Sequence, residues 1–165
     1  MNKIIWPLLL CAVLCGCGGG ETGNAVQEQY RTLETARLEA EVTSHTSTDS
    51  RTFTLLCSYD ADGDAVTTVT DPGELAGLTA VVSGTDMTLS SEGLQLPAGA
   101  SLDICPANCL PYLLRALADG YVLEQSSEAL DDTPCLRLAL DTTAPGGGKV
   151  LCAVWLDAEG LFPRY

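Results

Sequence analysis

The chain has 165 residues and a mass of 17.3 kDa, the size of one ordinary domain. Hydrophobic residues make up 46 % and charged residues 18 %, which excludes a disordered or fibrous chain. With 22 acidic against 8 basic residues the net charge is −14, which excludes nucleic acid as a natural partner and argues against electrostatic attachment to anionic lipid.

The opening, MNKIIWPLLLCAVLCGCGGG, has a positive start at Lys3 and an apolar stretch from Ile4 to Leu14. Eleven helical residues span about 17 Å, short of a hydrocarbon core of about 30 Å. The stretch therefore reads as the core of a secretory signal. Leu14-Cys15-Gly16-Cys17 resembles the lipobox of bacterial lipoproteins: an aliphatic residue, two small residues, then cysteine. The resemblance implies a signal over 1–16, a diacylglyceryl anchor on Cys17, and attachment to the extracytoplasmic face of the cell membrane. Two alternatives are modification of Cys15, which puts Leu14 in a small-residue position, and an ordinary secretory signal with chance cysteines. Two acyl chains anchor stably where one holds marginally. Residues 17–23 then form a Gly-rich lipidated tether and 24–165 a single domain. Removing Lys3 leaves seven basic residues against 22 acids, a charge of −15.

Val26, Tyr30 and Leu33 predict a short amphipathic helix over 24–33, with Asn24 as its N-cap. The period then changes to two. Ala36, Leu38, Ala40 and Val42 alternate with polar residues over 36–44, and Phe53, Leu55, Cys57 and Tyr59 share one face over 52–60. Ala61-Asp62-Gly63-Asp64 is a turn signal before a strand at 65–70. Short strands at 78–82, 86–90 and 94–96 follow, separated by small turns, as in an antiparallel meander. A second helix is predicted at about 106–118, with Cys109, Leu110, Leu113, Leu114 and Leu117 as its apolar stripe. Pro106 suits its first turn, Pro111 kinks it or marks a later start, and Asp119-Gly120 ends it. Strands at 121–126, 135–141 and 150–157 complete an α+β pattern: one wide antiparallel sheet curling around helices.

This order resembles the outer-membrane lipoprotein-sorting (LolA/LolB-like) superfamily. The match is carried by the first helix and three long strands, by Asp71-Pro72-Gly73-Glu74-Leu75-Ala76-Gly77-Leu78, by the Pro-containing helix before Asp119-Gly120-Tyr121, and by Val154-Trp155-Leu156-Asp157 to Pro163. The resemblance implies a curved antiparallel β half-barrel with helices covering its concave face. It implies a non-catalytic, monomeric carrier whose concave face shields an acyl chain, a lipid or a lipoprotein's acyl chains. Phe53, Leu55, Tyr59, Leu110, Leu113, Leu114 and Leu117 would line that cavity. The chain departs from the pattern in two respects. Relatives continue past the Pro163 region through closing strands, so the expectation is either a chain truncated at its C-terminus or an open last sheet edge. Aromatics are also scarce, at 5 %, for a lipid-lined cavity. The alternative is an envelope protein-interaction module with a filled core.

Chemistry of other kinds has little support. Cys57, Cys105, Cys109, Cys135 and Cys152 follow the lipobox, an odd number, and read as small buried hydrophobes. Cys135 and Cys152 lie on successive strands and could face each other; Cys105 and Cys109 share a helix face with poor disulfide geometry. They and the lone His45, placed at a polar hairpin tip, offer too few metal ligands. No Gly-x-Ser-x-Gly elbow is present, the Gly runs at 18–20 and 146–148 lack a phosphate-loop context, and Asp60-Ala61-Asp62-Gly63-Asp64 reads as an acidic turn. No metal or cofactor is implied.

Overall fold

The computed structural model describes residues 19–165; the signal motif and Cys17 lie outside the described residues. The elements are α1 (Gly19–Arg31), β1 (Thr35–His45), β2 (Ser50–Asp60), β3 (Ala65–Asp71), β4 (Thr79–Ser83), β5 (Asp86–Ser91), β6 (Leu94–Ala100), α2 (Cys109–Asp119), β7 (Tyr121–Leu130), β8 (Thr133–Thr143) and β9 (Lys149–Asp157). Helix α1 begins at Gly19, so residues 19–23, expected as tether, are its first turns. Its Gly-rich start is a poor helix former. Packing offsets this: Gly23 is buried where even a Cβ would lie 3.1 Å from Gln125 Oε1, so the helix backbone rides close on β7.

The strands form an open, curved half-barrel with two helices, in two antiparallel sheets: β1 to β6 in chain order, and β7-β8-β9. A single wide sheet is the sequence expectation; the break falls where the chain leaves β6 for α2. Strand β6 is exposed along its whole length and carries Pro97, and a register shift lies opposite it between Met87 and Thr88. Edge strands tolerate proline and bulges where central strands do not.

Period-two patterning fixes the register. Ala36, Leu38, Ala40 and Val42 of β1 lie directly opposite Tyr59, Cys57, Leu55 and Phe53 of β2, so the apolar sets meet on one face. Helix α2 joins the two sheets. Its Leu110 buries against Leu55 and Cys57. Its Leu114 and Leu117 bury with Val26 and Tyr30 of α1 and with Leu136, Leu138, Leu140, Val154 and Leu156 of the smaller sheet. Pro111 sits within the first turn of α2, where backbone N–H groups lack intrahelical partners, so it causes no break. Gly120 ends the helix, donating its N–H to Ala116 O at 2.8 Å; a Cβ there would lie 2.4 Å from that oxygen.

The expected open last edge is instead covered. Residues 162–165 fold back on β9: Trp155 N–H donates to Tyr165 O at 2.7 Å, Arg164 N–H to Trp155 O at 2.7 Å, and Asp157 N–H to Phe162 O at 2.9 Å. The Asp157 carboxylate organises this return by accepting the N–H groups of Glu159, Gly160 and Phe162. Tyr30 pins it from α1, donating its hydroxyl to Leu161 O at 2.9 Å. Burial pushes the Tyr30 phenol up to about 12, with the Asp157 charge adding to the shift.

The Gly160 N–H holds the Asp157 carboxyl below its ordinary 3.8; desolvation opposes this, and the N–H groups of Phe162 and Glu159 add to the lowering. A depressed carboxylate contributes stability above its unfolded pKa and loses it as pH falls through the folded one. Amides of residues 160–165 are therefore expected to exchange slowly at neutral pH and to lose protection as pH drops below about 3.8. Asp157→Ala should show fast exchange there already at pH 7. Hydrogen exchange by NMR reads both; equal protection in the variant would refute the role.

Candidate functional site

The inner face of β2 to β5 is not fully covered by α2. Beyond Leu110 it holds an apolar pocket of about 240 Å³. Phe53, Leu55, Thr67, Val69, Ala80, Met87 and Leu89 form its floor, Leu75 and Leu78 one wall, and Cys105, Pro106 and Ala107 its lid. No charged side chain lines it.

The lid belongs to residues 101–108, a strap with little secondary structure of its own. Asn108, only 4 % exposed, knots it. Its Oδ1 accepts the Cys105 N–H at 2.8 Å, and its Nδ2 donates to Ser101 Oγ at 2.7 Å and to Asp103 O at 2.9 Å. Asn108 precedes the first turn of α2, yet makes no side-chain cap bond to the helix; its amide is spent on the strap. The strap's start is tied to both sheets. Ser101 N–H donates to Thr85 O at 2.8 Å, and Gly146 N–H of the β8–β9 loop to Leu102 O at 2.8 Å. A Cβ on Gly146 would lie 2.8 Å from that oxygen, so the contact needs glycine.

Thr67 is the polar residue of the floor. It is 2 % exposed, and its hydroxyl has no nitrogen or oxygen partner, only the weak contact of the Cys57 thiol beside it. Cys57 stands directly opposite it on β2, and Cys109 borders the same apolar cluster. Burial pushes the Cys57 thiol up; burial, with neighbouring Cys105 adding, pushes Cys109 up to about 11. Such thiols stay protonated at neutral pH and are poor nucleophiles and ligands. Cys57, Cys105, Cys109, Cys135 and Cys152 are all free. Cys135 lies opposite Asp157 and Cys152 opposite Leu140, so the β8–β9 register keeps that pair apart. Among the described residues no group of three or more His, Cys, Asp or Glu side chains is placed to hold a metal ion. His45 is exposed, its Nδ1 3.0 Å from Ser50 Oγ, and Asp60 closes its own turn by accepting the Asp62 N–H at 3.0 Å.

The seven residues expected to line one cavity fall in different places. Phe53 and Leu55 line the pocket. Leu110 closes its inner end by packing on Leu55 and Cys57. Leu113, Leu117 and Tyr59 sit in the larger core, where Leu117 is 1 % exposed. Leu114 also packs there and touches a second hollow of about 390 Å³, which Arg37 and Glu39 help to line. A larger cleft of about 600 Å³ beside α1 has a mixed lining, with Arg31, Asp119 and Glu124 on its walls beside Val122 and Leu123. Sequence reasoning missed Thr67, Leu89 and the strap. Thr67 had a signal, since period two puts it with Ala65 and Val69 on the inward face of β3.

The chain matches no protein-family model, and no curated protein sequence matches it. Solved structures similar in fold include a DUF1329 family protein from Desulfovibrio piger (15 % identity, 86 % of this chain and 70 % of that one, TM-score 0.48). They include a LolA superfamily protein from Nitrosomonas europaea (14 %, 86 % and 69 %, 0.44) and LprF from Mycobacterium bovis (14 %, 86 % and 81 %, 0.45). A likeness of this degree is one of broad outline and assigns neither family nor activity.

The different settings of the leucines predict different costs. Leu117→Ala should lower stability by about 2–5 kcal/mol, since its site is enclosed. Leu78→Ala, on a pocket wall already open, should cost only about 1 kcal/mol. Urea denaturation of both variants checks this; equal losses would mean that the pocket wall is as tightly packed as the core.

Proposed function

We propose that the chain is a non-catalytic, extracytoplasmic lipoprotein module of the lipoprotein-sorting type, anchored through Cys17 and acting as a monomer that shelters an acyl chain in the concave face of its larger sheet. The observation that carries this reading is the uncharged pocket of about 240 Å³ under the Cys105–Ala107 lid. A dry apolar cavity of about 150 Å³ holds a benzene-sized guest, so this one has room for a short hydrocarbon segment.

A second reading is favoured by α2. Leu113, Leu114 and Leu117, expected at a cavity, pack instead in the core. If the small pocket is only a packing defect, the molecule is a filled interaction module whose partner is a protein.

A fluorescent fatty-acid probe separates the two. The first reading expects saturable binding to the purified chain and its loss in Ala107→Trp, which fills the pocket from the lid. Absence of binding, together with no lipid co-purifying in native mass spectrometry, would leave the second. The anchor has its own test: Cys17→Ala should move the protein from the membrane fraction to the soluble one, and continued attachment would refute lipidation there.

A further inference from the structure

Among the described residues the two sheets have four lateral edges, and three of them are blunted. Strand β6 carries Pro97 and lies opposite a register shift. Strand β7 bulges at Leu123, between Val122 and Glu124. Strand β9 is covered by residues 162–165. Prolines, bulges and covering segments keep an edge from pairing with another strand. Strand β1 has none of these. Its 11 residues include neither Pro nor Gly, and its register against β2 runs unbroken from Thr35 opposite Asp60 to His45 opposite Ser50.

The pairing fixes which backbone groups are left over. Ala61 N–H donates to Glu34 O at 2.8 Å, and Thr46 N–H to Asp49 O at 2.8 Å. These pairs continue the β1–β2 register at its two ends, so the even-numbered residues of β1 bond to β2. The alternate residues of an antiparallel ladder turn their N–H and C=O the other way. Thr35, Arg37, Glu39, Glu41, Thr43 and His45 therefore present theirs to the free edge, where no other strand pairs with them among the described residues. Beside this edge lies the hollow of about 390 Å³, with Leu33, Ala36, Leu38, Leu114, Phe162 and Pro163 on its walls. A strand added here would turn every second side chain into that hollow. Its other side chains would flank Arg37, Glu39 and Glu41. These three face Ser58, Leu56 and Thr54 on β2 and make no ion pair among the described residues.

We propose that the free edge of β1 docks an extended segment of a partner protein as a further antiparallel strand, with apolar residues at alternate positions and cations beside Glu39 and Glu41. The backbone ladder supplies the attachment, the hollow takes the apolar residues, and cross-strand charge selects the sequence. The inference stands whether or not the pocket under the strap holds an acyl chain. A second copy of this chain fits less well. Pairing β1 with itself about Leu38 matches Arg37 with Glu39 but leaves Glu41 opposite Thr35, and it joins two bodies that each carry −14.

Amide exchange by NMR on the purified full chain tests this with two capped nonapeptides. The first, Thr-Val-Lys-Val-Lys-Leu-Glu-Val-Thr, sets Lys beside Glu41 and Glu39 and Glu beside Arg37 when it lies antiparallel to residues 35–43. The second, Thr-Val-Glu-Val-Glu-Leu-Lys-Val-Thr, inverts those charges. The first is expected to protect the amides of Arg37, Glu39 and Glu41, and to bind about tenfold tighter than the second, because three cross-strand pairs change from like to opposite charge. Glu39→Pro should melt close to wild type, since the Glu39 N–H bonds to no strand, and should lose the peptide. Glu39→Lys with Glu41→Lys should invert the preference. Equal binding of the two peptides overturns the inference, as does binding of the first without protection of those amides, or no binding at millimolar peptide. Protection of the same amides without peptide, rising with protein concentration, gives the edge to a second copy and overturns it too. Fatty-acid binding is a separate measurement, so failure here leaves the acyl-chain reading standing.

Discussion

The molecule depends on one short helix whose single apolar stripe is shared between two sheets. Strands β1–β6 and β7–β9 are separate sheets, and each has an inner face that must be buried. Helix α2 serves both: Leu110 enters the cluster of Leu55 and Cys57, and Leu114 and Leu117 enter the cluster built on α1 and the smaller sheet. An eleven-residue helix is marginal by itself, so its stability comes from these contacts and from the way it is started. Asn108 sets that start by tying the strap before it to Ser101, Asp103 and Cys105. Loss of this knot would release the helix, the strap and the pocket lid together.

The pocket is a consequence of the same economy. Six strands present more inner surface than the first turns of α2 can cover. Leu110 closes the region over β2, and beyond it the floor from β3 to β5 is roofed only by Cys105, Pro106 and Ala107. Helix propensity and core packing decide where cover ends, and the uncovered strip continues to Leu94 and Leu96 on β6, which are 78 % and 65 % exposed. A core filled throughout would need a bulkier strap or a longer helix. The smaller sheet shows the contrast: with three strands against two helices, Leu138, Leu140, Val154 and Leu156 are all at most 1 % exposed.

Much of this was legible in the sequence, because period-two and period-3.6 patterns report burial directly. The face carrying Phe53, Leu55, Cys57 and Tyr59 is inward as its alternation implies, and the α2 stripe is buried as its spacing implies. What could not be read was the partition of that stripe. Leu110 and Leu117 are the same residue type on one helix face, and only the tertiary arrangement sends them to different clusters. Strand β7 was expected only over 121–126. It runs to Leu130 because Asp131 and Asp132 both adopt positive φ, 48° and 62°, and make the tight hairpin turn themselves. The covered β9 edge was hidden for a similar reason. Its protection comes from backbone groups of residues 162–165 and from one carboxylate, Asp157, and neither leaves a periodic trace.

Charge and pocket act in the same direction. The basic residues that do pair are on the surface: Arg31 with Asp119, Arg51 with Asp49, Arg137 with Glu124 and Glu128, and Lys149 with Asp141. Such exposed pairs contribute little to stability, and they consume cations that would otherwise attract anions. The remaining acidic excess gives the surface a field that repels anionic headgroups and fatty-acid carboxylates alike. An anchor at Cys17 would leave only about 7 Å of chain before α1 begins at Gly19, so the body could not drift far from the bilayer it repels. If the pocket is a ligand site, a negative ligand would be opposed twice, by the long-range field at the surface and by desolvation in a pocket with no cation. A neutral apolar chain would be opposed by neither, and burial against Leu55, Val69 and Leu89 would be what attracts it.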